Sequence, residues 1–117
     1  MDTVAAVLVL LVALLHLSFL VLEMFLWTKP QGRAAFGTDA DFAEASKTLA
    51  ANQGLYNGFL AAGLVWGVLA DQYDVQVFFL ACVIVAGVYG AITVNRRILL
   101  VQALPAAVAL LFVVLAH

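Results

Sequence analysis

The sequence predicts an all-α integral membrane protein: a four-helix bundle of up-down topology with both termini on the outer side. Three observations carry that expectation. Hydrophobic residues make up 67% of the 117 and charged residues only 10%, too little charge to clothe a water-soluble globule. The apolar residues gather in long runs, as they do in helices surrounded by lipid. All five Lys and Arg fall in or beside two of the segments that separate those runs.

A helix crossing the hydrocarbon core needs about 20 apolar residues, and four segments of one domain, residues 1–117, supply them. The first helix is expected over about 4–27. It follows Met1-Asp2-Thr3, with neither the positive start nor the small-residue cleavage site of a signal peptide, and reads as a retained helix. Residues 28–46, "TKPQGRAAFGTDADFAEAS", are polar, with a loop over 28–40. The second helix is expected over about 41–70. Asp39 or Thr38 can cap its first amides, and Asp41 suits its positive end. Its apolar part begins near residue 49. Thirty residues at 1.5 Å each span about 45 Å, more than the roughly 30 Å core, so the surplus projects into the interface. There Phe36 and Phe42 dip into the headgroups or pack on the bundle. The third and fourth helices are expected over about 76–94 and 98–116. The connections 71–75 and 95–97 are short, which makes their helices antiparallel neighbours.

Charge gives the orientation. Lys29, Arg33 and Lys47 flank the first connection, and Arg96 and Arg97 form the third. The second carries Asp71 and Asp74, and neither terminal segment has a Lys or Arg. By the positive-inside rule the basic loops 28–40 and 95–97 face the cytoplasm of a multi-pass protein in the cell (inner) membrane. The net charge of −2 and the lack of a basic arm argue against a nucleic-acid partner. The single Cys82 cannot form an intrachain disulfide and reads as a small core residue.

Counting at 1.5 Å per residue places the polar side chains in depth. His16 lies near the midplane of the first span, with Glu23 roughly 12 Å toward the cytoplasm. Asn57 and Gln53 lie about 4 Å and 10 Å toward the same side. Tyr89 and Thr93 of the third helix and Gln102 of the fourth share that half, while the outer half is almost purely apolar. The polar groups thus form a one-sided layer. At 100° per residue His16, Leu20, Glu23 and Trp27 share one face of the first helix. Asn52, Gln53, Tyr56 and Asn57 cover one side of the second and are expected to meet that face. Gly54, Gly58, Ala61 and Ala62 fall mostly on the other side and would let a further helix approach. Gly63 with Gly67, and Gly87 with Gly90, serve either internal packing or a homodimer.

Each polar residue has a plainer reading beside the functional one. Glu23 is one turn from its helix end and can snorkel to the interface. His16 can be a hydrogen-bonded core residue, the amides glue between helices, Trp27 an interface anchor, and the two tyrosines packing residues. About eight such groups in one half-membrane layer exceed what glue requires. An ionised carboxylate in lipid is normally paired, protonated or facing water.

"HLSFLVLEMFLWTKPQGRAAFG" and "NQGLYNGFLAAGLVWG" resemble the domain-of-unknown-function 1304 family of small bacterial and fungal membrane proteins, over nearly the whole chain. The matching positions are His16, Glu23, Met24, Phe25, Trp27, Arg33, Phe36, Asn52, Gln53, Gly54, Tyr56, Asn57 and Gly58. The resemblance implies a compact four-helix membrane protein and a residue list, without a reaction.

The function favoured is a cytoplasm-facing polar pocket for a small amphipathic molecule. Its ligand-binding candidates are His16, Glu23, Trp27, Asn52, Gln53, Tyr56, Asn57, Tyr89 and Gln102. An enzymatic variant would use Glu23 or His16 as general acid or base, and no catalytic residue is assigned. The alternatives are a small proton-coupled exporter using Glu23 and a purely structural or assembly subunit. An exporter needs polar positions on both sides, which the apolar outer half does not offer. No metal site is expected: His16 and Glu23 are about 10 Å apart along the axis, and His117, the second histidine, belongs to the opposite surface. Haem with His16 as one axial ligand is the cofactor reading left open. The expected partners are the lipid bilayer, a small amphipathic ligand and a second copy of the chain.

Overall fold

A computed structural model describes residues 2–117 and is all-α; no strand occurs among the described residues. The α-helices are α1 (Thr3–Met24), α2 (Pro30–Phe36), α3 (Ala40–Leu69), α4 (Tyr73–Thr93) and α5 (Leu104–Ala116), with a π-helical turn over Leu99–Ala103 leading into α5. Three are long and apolar enough to cross a membrane: Thr3–Met24, Tyr73–Thr93 and Leu99–Ala116. Within their apolar windows only 28%, 22% and 22% is buried by the chain itself. Most of their apolar surface is left for an apolar surrounding, which makes the chain membrane-compatible. The 30-residue α3 is long enough but is not among the three. Asn52, Gln53 and Asn57 dilute its apolar run.

The chain forms two compact units. The first comprises residues up to Ala13 together with Leu60–His117. One core fills it, with Ala5, Val9, Val12 and Ala13 from α1, Ala61 and Leu64 from α3, Leu80 and Val83 from α4, and Ala106, Ala109 and Val113 from α5. The spacing within each helix is the three-to-four-residue step of one face. Many of these residues are small, which lets helix backbones approach. Gly63 faces the Phe79 ring, Gly67 faces Gln76, and Gly87 lies against Ala103, whose backbone N would be 2.7 Å from an added Cβ. These glycines serve packing inside the unit. The α3–α4 turn is closed by Gln72 N–H donating to the Gly67 carbonyl at 2.9 Å, with Asp71 in the left-handed region at φ 50°. Asp is one of the few side chains that enter that region readily. The buried Gln76 side chain donates to the same Gly67 carbonyl at 2.9 Å. One of its amide hydrogens is therefore satisfied within the hairpin.

The π turn has a local cause. Pro105 has no N–H, and its ring would crowd the carbonyl four residues back. The ladder widens just before it, with Leu104 N–H bonded to the Leu99 carbonyl.

The second unit is Leu14–Phe59. Helix α1 ends here at Met24, and tight turns follow, with Lys29 N–H donating to the Leu26 carbonyl at 3.0 Å. The segment 28–40, expected to be a loop, contains α2. Pro30 opens this helix and Gly37, at φ 66°, ends it. That is the usual asymmetry of helix ends, Pro where an N–H would be orphaned and Gly where the chain turns left-handed. Asp39 caps α3: its Oδ1 accepts from Phe42 N–H at 2.7 Å.

Candidate functional site

Within the Leu14–Phe59 unit, α1 and α3 meet on a face set by glycine. A Cβ on Gly54 would stand 2.6 Å from Met24 Cγ, 3.2 Å from Glu23 Cβ and 3.3 Å from the Leu20 carbonyl oxygen. One on Gly58 would stand 2.7 Å from Leu20 Cδ1. Asn57 lies on the same side, and its Nδ2 donates to Glu23 Oε1. Asn52, Gln53 and Tyr56 are exposed. The expected assignment of faces is therefore corrected. The glycines, and not the full amide set, meet helix one, because the backbones come too close for larger side chains. Asn57 alone among the four reaches Glu23 in a described hydrogen bond.

Trp27 is fixed from three directions. Its Nε1–H donates to Ser46 Oγ at 3.0 Å, and that hydroxyl donates to the Phe42 carbonyl at 2.7 Å. The Phe36 ring lies 5.0 Å away, centroid to centroid, tilted by 52°. Gly32 of α2 is buried against the Leu26 carbonyl and Trp27 Cα, where any Cβ would collide. The short helix is thus a brace that sets the indole.

Glu23 and Trp27 line an open groove of about 340 Å³, with Met24, Phe25, Thr28, Lys47, Thr48 and Ala51. Lys47 Nζ pairs with Glu44 at 2.5 Å, both side chains being solvent-exposed. Glu23 has no ion-pair partner among the described residues, and its Oε2 has no described hydrogen bond. No group of three His, Cys, Asp or Glu among the described residues could hold a metal ion.

Of the other sequence candidates, His16 is fully buried with its ring edge-on to Phe19 at 5.3 Å, and it does not line the groove. Tyr89 is 70% exposed and Gln102 is half-buried. Both belong to the other unit, as does His117, which stacks on Tyr73 at 3.7 Å. Sequence reasoning missed Lys47, Thr48, Ser46 and Gly32. Ser46 stands 19 positions from Trp27, so no local spacing linked them. The Pro30…Gly37 punctuation, by contrast, was a signal for α2.

The family model described as "Protein of unknown function (DUF1304)" matches residues 10–114. This chain belongs to the DUF1304 family. Its groove, Glu23–Asn57 bond and Trp27 brace all lie within the DUF1304 match. The chain is also similar to the "Uncharacterized protein YpaA" of Lactococcus lactis subsp. lactis (strain IL1403), 31% identical over 106 residues, 87% of this chain and 89% of the relative. No solved structure matches.

Proposed function

We propose that the chain is a small multi-pass protein of the cell membrane that binds a small amphipathic molecule in the Glu23–Trp27 groove. The observation that carries this reading is a half-buried carboxylate, hydrogen-bonded by Asn57 yet lacking a cationic partner among the described residues, in the wall of a groove. A carboxylate removed from water favours a partner that neutralises it. Around it stand apolar Met24 and Phe25 and polar Thr28, Lys47 and Thr48, a lining of mixed character that suits an amphiphile.

In this reading four helices cross the bilayer, up and down. Helix α3 is the fourth. Its 30 residues reach about 45 Å, and only residues 70–72 separate it from α4. If α4 crosses, the end of α3 must already lie at the surface. Its amides then sit at the cytoplasmic end of its crossing. The basic segments 28–40 and 95–97 face the cytoplasm and both termini face outward.

The test is gentle extraction followed by mass spectrometry of co-purified small molecules. An amphiphile should be enriched with the wild-type protein and depleted with Trp27→Ala. Equal recovery from both proteins, or none from either, would sink the proposal.

A further inference from the structure

Resting on that reading, we infer that the ligand is an amine-bearing phospholipid headgroup, with its ammonium at Glu23 and Trp27 and its phosphate at Lys47, Thr28 and Thr48. The charge pattern of the groove carries the inference. One wall offers a carboxylate whose Oε1 is occupied by Asn57 while Oε2 has no described donor. A metal ion would want several such ligands, and no suitable cluster occurs among the described residues. An organic ammonium needs only one carboxylate and gains further from an indole. Trp27 lines the same groove and is held by Ser46, Phe36 and the Gly32 backbone.

The rest of the lining has the opposite preference. Lys47 supplies a positive charge, and Thr28 and Thr48 supply hydroxyl donors, the groups that hold phosphate oxygens. The Lys47–Glu44 pair is exposed, and such pairs are weak and readily exchanged. A ligand that satisfies both sets carries an amine and a phosphate a few bonds apart. Size agrees. A groove of about 340 Å³ lies at the lower end of the roughly 300–1,000 Å³ of small-molecule sites. That is room for a headgroup, and the acyl chains would stay outside. Phe25, 67% exposed, offers them an apolar surface at the rim.

The experiment uses the full-length protein in mild detergent, stripped of lipid. It is then exposed to equimolar palmitoyl-oleoyl phosphatidylethanolamine and phosphatidylglycerol and read by native mass spectrometry. The ethanolamine lipid should be retained over the glycerol lipid by about tenfold, equivalent to about 1.4 kcal/mol. Glu23→Gln should bring the two to parity without a lowered melting temperature, and Lys47→Gln should weaken both lipids. A measurement free of variants stands beside these. N-acetylating the ethanolamine lipid removes its positive charge and should abolish its advantage. Free phosphoethanolamine distinguishes the source of the same chemistry. Displacement of the lipid by it points to a soluble amine–phosphate ligand, and no displacement points to the intact lipid. Equal retention of both lipids by wild type, or an advantage that survives N-acetylation, overturns the inference. The amphiphile reading itself would still stand if retention depended on Trp27, and both fall if no retention does.

Discussion

Glu23 accepts from Asn57 across two helices, and the pair can be separated energetically. A carboxylate at the centre of a spanning helix costs about 2.5–3.5 kcal/mol, less near the end of a helix. The Asn57 donor offsets part of that cost. Asn57→Leu should therefore destabilise the protein by roughly 1–2 kcal/mol, seen as a lower melting temperature in detergent. Adding Glu23→Leu should recover more than half, because the carboxylate is then gone as well. If the double variant is as unstable as the sum of its parts, the bond contributes no coupling. Depth counting pointed to Glu23 and Asn57 because a charge and an amide inside an apolar run stand out one residue at a time. The same counting enlisted His16, Tyr89 and Gln102, and the groove includes none of them. Depth along a helix says nothing about which side chains converge. Two other polar side chains of the long helices close on their own backbone, Ser18 on the Leu15 carbonyl and Thr93 on that of Tyr89, and so need no partner on another helix.

At the scale of the element, closeness is set by where a methyl group would fit. Gly87 faces backbone, with Ala103 N at 2.7 Å and Ala103 Cα at 3.0 Å from a built Cβ. Gly58 faces only the far end of Leu20, which can swing away. Gly87→Ala should cost about 1–3 kcal/mol, and Gly58→Ala distinctly less, by thermal unfolding of the two variants under one condition. Reversal of that order would mean that the π turn yields more easily than a leucine rotamer. The long helices were legible because lipid-facing residues are written as continuous apolar runs. The two faces of α3 were not. "GLYNG" and the amides interleave within two turns, and the angle alone does not say which stripe a neighbour selects. Contact distance decided it. Helix α2 escaped because its run is only seven residues long, and the polar tract around it masked the Pro and Gly that frame it.

For the whole molecule, orientation is the consequence most open to experiment. With Cys82→Ser to remove the native thiol, Gln72→Cys should be labelled in intact cells by a membrane-impermeant maleimide. Arg96→Cys should react only after the membrane is opened. Labelling of both from outside, or the reverse pattern, would refute the proposed outward termini and cytoplasmic basic loops. The all-α class and membrane-compatible composition were plain in 67% hydrophobic and 10% charged residues. Whether α3 crosses was harder to read, because Asn52, Gln53 and Asn57 near its middle make that helix less apolar than the others.

The α3–α4 hairpin also bears on the order in which the chain assembles. Gln76 is bonded to the carbonyl of Gly67, nine residues earlier, across a turn closed by Asp71 and Gln72. Its amide finds its partner as soon as this hairpin folds, without waiting for the last helix. A buried amide without a partner would hold α4 back from lipid. Supplied from within the hairpin, that partner lets α3 and α4 pair first, and α5 can then dock against a surface already made.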